Sequence, residues 1–340
     1  MDPGATLGRD RSVGGAQRRV GPTFRSGAFS SGAFRTGGDL WEDKGVITFI
    51  AVLVALASFT AVQNPPAPQP ASGIDTSTWN DPETPFRLAG PIYYVGTKQL
   101  AAFLVSSPQG HILIDGGMPN SAAVIEKSIR EIGFKPEDIR ILLTTQAHFD
   151  HVGTHAHFKK LSGAMMQAMT GDEKLLRDGG KSDYLFGANP AFHFPTVPVD
   201  RVLKDGDIIT IGGARLTARH TPGHTPGSAT YEMTVNEGGR DYKVVFAAST
   251  SVNPGTRFVK NPSYPGILED FRKTFTVLES LQPDIFVSGH ATFFGLKEKR
   301  AKMNPESPAA AFVDPKGYRA LLLEKKKAFE ALVAQEQSGR

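Results

Sequence analysis

The sequence contains no cysteine. Disulfide bonds, thiolate nucleophiles and every zinc site that uses a cysteine ligand are therefore excluded. Any metal ion bound by this chain must be held by imidazole nitrogen, carboxylate oxygen or amide oxygen.

A strong excess of one charge is also lacking, because the 340 residues carry a net charge of only +4. Domains that bind nucleic acid usually concentrate Lys and Arg in a patch or stripe. The sequence shows no such concentration, and we expect no nucleic-acid partner. Hydrophobic residues make up 40% of the chain, which allows one large domain or two small ones.

One apolar run stands out near the N-terminus, from Val46 to Val62. It contains Ala55-Leu56-Ala57, which resembles the cleavage site of a secretory signal. We therefore predict that residues 1–75 are a leader with a signal peptide and a Pro-rich spacer, and that the protein is exported to the periplasm. Because about 17 apolar residues approach the lower limit for a spanning helix, the alternative is an uncleaved anchor at residues 46–62 that tethers the protein to the inner membrane, facing the periplasm.

Residues 76–335 are predicted to form one mixed α/β domain with a C-terminal helix. Short apolar runs bounded by Gly, Pro and Asn alternate there with helical periods. A helix is predicted from Ser121 to Ile132, and the C-terminal helix begins after Asp314-Pro315. The segment Gly171 to Pro198 is predicted to wall a pocket. The predicted strands span 92–95, 101–106, 111–115, 139–145, 215–219, 242–248 and 284–288.

The strand predicted at 139–145 is followed by a run of metal-binding residue types, Gln146-Ala147-His148-Phe149-Asp150-His151. Four of these six side chains offer nitrogen or oxygen, which zinc accepts when no thiolate is present. The run is one residue away from the pattern H-x-H-x-D-H, since Gln146 stands at its first position.

Two later strands end in the same way. His224 lies in a turn bracketed by Pro-Gly pairs after the strand at 215–219, and Gly289-His290 follows the strand at 284–288. Three strand ends that present His or Asp indicate one metal centre assembled from distant segments.

These segments, in this order and spacing, resemble the metallo-β-lactamase superfamily, and within it class B, subclass three, whose members lack a Cys ligand. The resemblance implies an α/β fold, a four-layer αβ/βα sandwich with metal ions along one edge between its two sheets. The Gln at position 146 is similar to that of a minority of the subclass. The matching segments are Ile114 to Gly117, Gln146 to Gly153, Thr221 to Ser228, Asn261 to Pro265 and Gly289-His290.

The resemblance further implies two zinc ions per chain. Six residues would hold them: Gln146, His148 and His224 the first ion, and Asp150, His151 and His290 the second. Because a neutral amide oxygen binds zinc more weakly than imidazole does, we predict that the first site is the weaker one.

Zinc brings the pKa of a bound water towards neutrality and so supplies a nucleophile at pH 7. Together with the resemblance, this chemistry predicts a hydrolase that opens the β-lactam amide of penicillins, cephalosporins or carbapenems. Its partner would thus be a small-molecule substrate. Asp150 is the predicted catalytic residue, because it would orient the attacking water or relay its proton. The resemblance implies that Ser249 and Ser251 bind the substrate carboxylate.

Two alternatives remain open. The chain could be a zinc hydrolase of the same fold that acts on another cyclic amide, a lactone or a thioester, or a relative that binds metal but catalyses weakly because of Gln146. Thioesterases of the glyoxalase II type and many lactonases have a bridging Asp after the strand that lies here at 242–248. This chain has no carboxylate in Phe246-Ala247-Ala248-Ser249-Thr250, which disfavours those activities.

Overall fold

The computed structural model of the chain describes residues 75–339. The predicted signal peptide or anchor and the Pro-rich spacer lie outside the described residues. Among the residues that are described, no helix is long and apolar enough to cross a membrane.

The described strands form two sheets. The first sheet has seven strands that neighbour one another in chain order: β1 (Phe86–Ala89), β2 (Ile92–Tyr94), β3 (Phe103–Val105), β4 (His111–Ile114), β5 (Ile139–Leu143), β6 (Met165–Met169) and β7 (Arg201–Leu203). The second has five strands: β8 (Ile208–Ile211), β9 (Ala214–His220), β10 (Ala229–Glu237), β11 (Arg240–Ala247) and β12 (Ile285–Ser288). Its order is β12-β11-β10-β9-β8. The strands predicted from the sequence are all present, with ends shifted by at most two residues.

Eight α-helices connect or follow these strands in the described part of the chain: α1 (Ala122–Glu131), α2 (Phe149–Val152), α3 (His155–Ser162), α4 (Glu173–Asp178), α5 (Ile267–Ser280), α6 (Leu296–Ala301), α7 (Ala309–Phe312) and α8 (Pro315–Gln337). The predicted helix at 121–132 is α1, and the predicted C-terminal helix is α8. Helix α8 begins as its sequence indicates, because Pro315 occupies the first helical position and the Asp314 carboxylate accepts a hydrogen bond from the Gly317 N–H at 2.8 Å.

The layers follow from where apolar side chains are buried. The largest core cluster lies between the two sheets, where the Phe103 and Phe246 rings are 5.3 Å apart. A second cluster joins the other face of the first sheet to its helices, with Ile125 from α1 and Phe158 from α3. On the second sheet, the Phe286 ring of β12 lies 5.4 Å from Tyr318 of α8. This arrangement confirms the predicted four-layer αβ/βα sandwich.

One edge of the sandwich gathers the ends of strands from both sheets. The segments that follow β5, β9, β11 and β12 lie there, and backbone hydrogen bonds attach two of them to neighbouring parts of the sandwich. The Ala229 N–H donates to the Thr145 carbonyl at 2.8 Å, and the Ala101 N–H donates to the Gly289 carbonyl at 2.8 Å. The loops that carry the predicted metal ligands are thus fixed by regular structure on each side.

Candidate metal centre

Three of the predicted ligands form a compact cluster at this edge. Ligand atoms of Asp150, His151 and His290 all lie within 4.8 Å of one another. Asp150 Oδ2 is 3.4 Å from His151 Nε2 and 3.3 Å from His290 Nε2. Asp150 and His151 are buried, whereas 23% of the His290 side chain is exposed. This is the residue set predicted for the second zinc ion.

Asp115 fixes the orientation of His151. His151 Nδ1 lies 3.2 Å from Asp115 Oδ2, so Nδ1 carries a hydrogen and its N–H donates a hydrogen bond to the carboxylate. Asp115 also accepts hydrogen bonds from the Thr145 N–H at 2.7 Å and the Thr145 hydroxyl at 2.8 Å. These contacts leave Nε2 of His151 as the ring nitrogen that faces Asp150.

The backbone at Asp115 is unusual, because its φ of 57° is the one positive value among the described residues other than glycine. Such a conformation costs about 1–2 kcal/mol for most residues but is tolerated by Asp and Asn. It is retained here, where the carboxylate is fully buried against Thr145 and His151. Backbone strain next to a ligand-orienting side chain is typical of functional sites.

The other three predicted ligands lie beside this cluster. The rings of His148 and His224 are 4.9 Å apart between centroids, and Gln146 is buried in the same cavity. His224 Nδ1 donates to the Ser251 carbonyl at 2.7 Å, which leaves its Nε2 lone pair free. Burial, together with the neighbouring His148, lowers the pKa of His224 to about 3. The imidazole is therefore neutral and competent to bind a metal ion.

Two atoms of this centre are buried without a hydrogen-bond partner, Oε1 of Gln146 and Nε2 of His151. An unpaired buried acceptor costs about 1–3 kcal/mol, and such groups need an explanation. Both atoms belong to predicted ligands, one from each set. The Gln146 oxygen carries a lone pair that could bind a cation, and so does Nε2 of His151 when the imidazole is neutral. The residues present therefore fit a metal ion, with nitrogen and oxygen donors of the kind that zinc uses.

The electrostatics of the centre also favour a cation. Burial opposes ionisation of Asp150, but His151 and His290 hold the pKa of its carboxyl well below the ordinary value. Burial likewise disfavours a charged His151, yet Asp150 and Asp115 raise the pKa of its imidazole to about 10. The two buried carboxylates, Asp150 and Asp115, thus stabilise a positive charge at His151. That charge can be a proton on the imidazole or a metal ion bound to it.

Asp172 joins the two loops that carry Gln146, His148 and His224. It accepts hydrogen bonds from the Ala147 N–H at 2.9 Å, the Thr225 hydroxyl at 2.7 Å and the Gly227 N–H at 2.7 Å. Its side chain is fully buried, and burial raises the pKa of this carboxyl to about 6 despite these donors.

The cavity above the candidate ligands has a volume of about 180 Å³ and is walled mainly by aromatic rings. Trp79 lies edge-on to His290, with centroids 5.6 Å apart. Phe186 and Phe192 stack at 4.3 Å on another side, and both come from the segment predicted to wall the pocket. A larger groove, of about 930 Å³, lies along β9, β10 and β11 and contains none of the candidate ligands.

The predicted substrate-binding serines and an additional polar residue lie at the rim of the cavity. Ser249 and Ser251 both line it, and the Ser249 hydroxyl oxygen accepts a hydrogen bond from the Ser251 N–H at 3.2 Å. Asn253 also lines the cavity and was not singled out by the sequence patterns.

Sequence reasoning also missed Asp172, Asp183 and Trp79, each of which contacts the centre or a loop that carries it. Asp115 was noted in a matching segment but given no role. No sequence signal identifies the roles of Asp172 and Asp183, because the contacts that link them to the centre are with residues at least 25 positions away along the chain.

The chain is similar to known proteins in sequence and in fold. The family model "Metallo-beta-lactamase superfamily" matches residues 95–290. The metallo-beta-lactamase GOB-18 from Elizabethkingia meningoseptica superposes with a TM-score of 0.75 at 37% identity, covering 80% of this chain and 100% of that one. The class B3 di-zinc metallo-beta-lactamase LRA-12, from an Alaskan soil metagenome, gives 0.73 at 37% identity, covering 77% of this chain and 98% of that one.

A more distant similarity reaches a different hydrolase. An N-acyl homoserine lactonase from a Bacillus species is 24% identical over 234 residues, which is 60% of this chain and 84% of the lactonase. The match to the family model and the structural relatives at 37% identity together establish the family. The chain belongs to the metallo-β-lactamase superfamily of hydrolases, and the solved structures that it resembles are class B3 enzymes.

Proposed function

We propose that this protein is a zinc-dependent β-lactamase that opens the β-lactam amide of penicillins, cephalosporins or carbapenems. The observation that carries the proposal is a pair of buried ligand atoms without a hydrogen-bond partner. Gln146 lines the aromatic-walled cavity, and His151 Nε2 lies beside Asp150, which lines the same cavity. Relatives at 37% identity that carry the β-lactamase name support the choice of substrate.

Six residues of the chain would hold two zinc ions. Gln146, His148 and His224 would hold the first and Asp150, His151 and His290 the second, with the first site weaker because an amide oxygen replaces an imidazole. Zinc bound there would supply a water of lowered pKa as the nucleophile and a Lewis acid for the amide carbonyl.

Asp150 is the proposed catalytic residue because its ionised carboxylate lies in the cavity and can accept a hydrogen bond from the attacking water. His151 and His290 hold the pKa of its carboxyl far below neutrality, although burial opposes this. The carboxylate is therefore ionised at neutral pH, and it can orient a water molecule in the cavity by accepting its hydrogen bond.

Ser249 and Ser251 are proposed to bind the carboxylate that β-lactam antibiotics carry. Each hydroxyl can donate one hydrogen bond to an anionic oxygen. The Ser249 oxygen accepts the Ser251 N–H, which directs its hydroxyl proton elsewhere. The aromatic walls formed by Trp79, Phe186 and Phe192 would exclude water and contact apolar parts of the substrate.

Lactone hydrolysis is the second candidate, because a homoserine lactonase is similar over 84% of its length. The segment from Phe246 to Thr250 has no carboxylate that could bridge two metal ions, and this disfavours the lactonase activity.

The proposal is tested by a substrate panel. We expect kcat/KM of the zinc-loaded protein to be higher for a carbapenem, a cephalosporin or a penicillin than for an N-acyl homoserine lactone or an acyl thioester. Preferred turnover of the lactone or the thioester would overturn the substrate assignment while leaving the metal centre in place.

We further propose that residues 76–335 form the catalytic domain and that residues 1–75 direct export to the periplasm. The apolar run from Val46 to Val62 and its Ala55-Leu56-Ala57 segment support this proposal. Mass spectrometry of the N-terminus of the mature protein distinguishes a cleaved signal from an anchor retained at residues 46–62.

A further inference from the structure

A carboxylate from the pocket wall contacts one of the proposed zinc ligands. Asp183 lies in the segment between α4 and β7, residues 179–200, which we call the wall loop. Its Oδ2 is 3.2 Å from His148 Nε2. The two side chains are only 3% and 8% exposed, so water screens their interaction little.

The contact determines which nitrogen of His148 is available. A neutral imidazole has one N–H and one lone pair. Because Nε2 donates its hydrogen to Asp183, the lone pair resides on Nδ1. A carboxylate that receives the second N–H of a metal-bound histidine fixes the ring and raises its basicity.

The other oxygen of the same carboxylate organises the wall loop. Asp183 Oδ1 accepts hydrogen bonds from the Leu185 N–H at 2.8 Å and the Phe186 N–H at 2.7 Å. The Phe186 ring then packs edge-on against His148, 5.5 Å between centroids, and stacks on Phe192. One side chain therefore connects the proposed ligand to the aromatic wall of the cavity.

We propose that Asp183 is a positioning residue that orients His148 for the first zinc ion and ties the occupancy of that site to the order of the wall loop. This inference rests on the proposed zinc site of Gln146, His148 and His224. It adds a coupling between metal binding and the surface that contacts the substrate.

The coupling is reciprocal by thermodynamic necessity. If the ordered wall loop strengthens zinc binding at His148 by some factor, then zinc stabilises the ordered loop by the same factor. Removal of the carboxylate should therefore lower the affinity for the first zinc ion. It should also reduce the degree to which zinc stabilises the ordered wall loop.

The test uses the full chain and three variants. Asp183→Asn keeps an oxygen that can accept the loop N–H groups but replaces the carboxylate that faces His148. Asp183→Ser retains a hydroxyl near those N–H groups and is too short to reach the imidazole. Asp178→Asn is the matched control, because Asp178 accepts a hydrogen bond from the Ser182 N–H in the same region and has no described contact with a proposed ligand.

Zinc affinities are measured by competition with a chelator, and amide hydrogen exchange is followed in residues 183–193 with and without zinc. We expect Asp183→Asn and Asp183→Ser to lower the affinity for one zinc ion by about 10–100-fold and to leave the affinity for the other within about twofold of the wild-type value. Zinc should protect the wall loop in the wild type and the Asp178→Asn control, and much less in the Asp183 variants.

The outcomes separate this inference from the function on which it rests. Wild-type affinities in both Asp183 variants would overturn the role of Asp183 alone. Equal weakening of both zinc ions would also overturn it, because a general structural defect would then explain the loss. A wild-type protein that binds no zinc would overturn the proposed function and this inference with it.

Discussion

Replacement of Asp115 by Asn tests how the chain prepares His151 for a metal ion. Asn tolerates the left-handed backbone found at this position, so the φ of 57° adds no new strain. The change removes one of two accepting oxygens that together receive the Thr145 N–H, the Thr145 hydroxyl and His151 Nδ1.

The consequences depend on which way the new amide turns. If its NH₂ takes the place of Oδ1, the buried Thr145 N–H loses its acceptor, which costs about 1–3 kcal/mol. If its NH₂ faces His151, Nδ1 must become the acceptor and the proton moves to Nε2, the atom that faces Asp150. In that tautomer Nε2 has no lone pair for a metal ion.

We therefore expect Asp115→Asn to weaken the second zinc ion by about 10–100-fold and to lower the free energy of unfolding of the metal-free protein by about 1–3 kcal/mol. Chelator competition measures the first quantity and denaturant unfolding the second. Asp172→Asn is the control, because Asp172 is an equally buried carboxylate that accepts backbone N–H groups without touching His151. An Asp115→Asn variant that binds the second zinc ion as tightly as Asp172→Asn does would refute the tautomer argument.

Three further predictions follow from individual residues. Gly289→Ala should lower the free energy of unfolding by about 1–3 kcal/mol and weaken binding of the second zinc ion, because an added Cβ would lie 2.2 Å from the His151 ring. Denaturant unfolding compares this variant with Gly266→Ala, where the atom nearest to an added Cβ is 3.7 Å away. Gln146→His should raise the affinity for the first zinc ion and leave the affinity for the second unchanged, because an imidazole replaces an amide oxygen. A zinc titration that shows no gain in affinity at the first site would contradict this. Burial raises the pKa of Asp172 from 3.8 to about 6, so its protonated form is favoured in the folded state. Relative to Asp172→Asn, the wild type should therefore lose up to about 3 kcal/mol of stability as the pH rises from about 4 to above 6. The same dependence of unfolding free energy on pH in both proteins would contradict this prediction.

The strands that bear ligands could be predicted because their signals are local. Apolar runs such as Ile139 to Leu143 are bounded by turn residues, and each is followed within a few residues by a predicted ligand, His, Asp or Gln. The resemblance that these segments carry also implied the family and its four-layer architecture. Strand β10 carries the alternation of Tyr231, Met233 and Val235, all buried, a signal from which this strand could also have been predicted.

The remainder of the site could not be predicted because it depends on tertiary contacts. Asp183 is 35 residues from His148 in the chain, and Asp172 is 53 residues from Thr225. From the sequence around it, each carboxylate is indistinguishable from an ordinary loop residue. Strand β7 is similarly hidden, since it has three residues and two of them are exposed. Its place at the edge of the first sheet comes from pairing with β6.

The most direct test of the central claim is carbapenem hydrolysis as zinc is added to metal-free protein, alongside His148→Ala and His290→Ala. Each variant removes one proposed ligand, from the first and the second zinc site respectively. We predict turnover that appears with zinc, disappears with a chelator and is lost or severely reduced in both variants. Zinc binding without turnover of any β-lactam, or turnover that the chelator and both substitutions leave unchanged, would contradict the account.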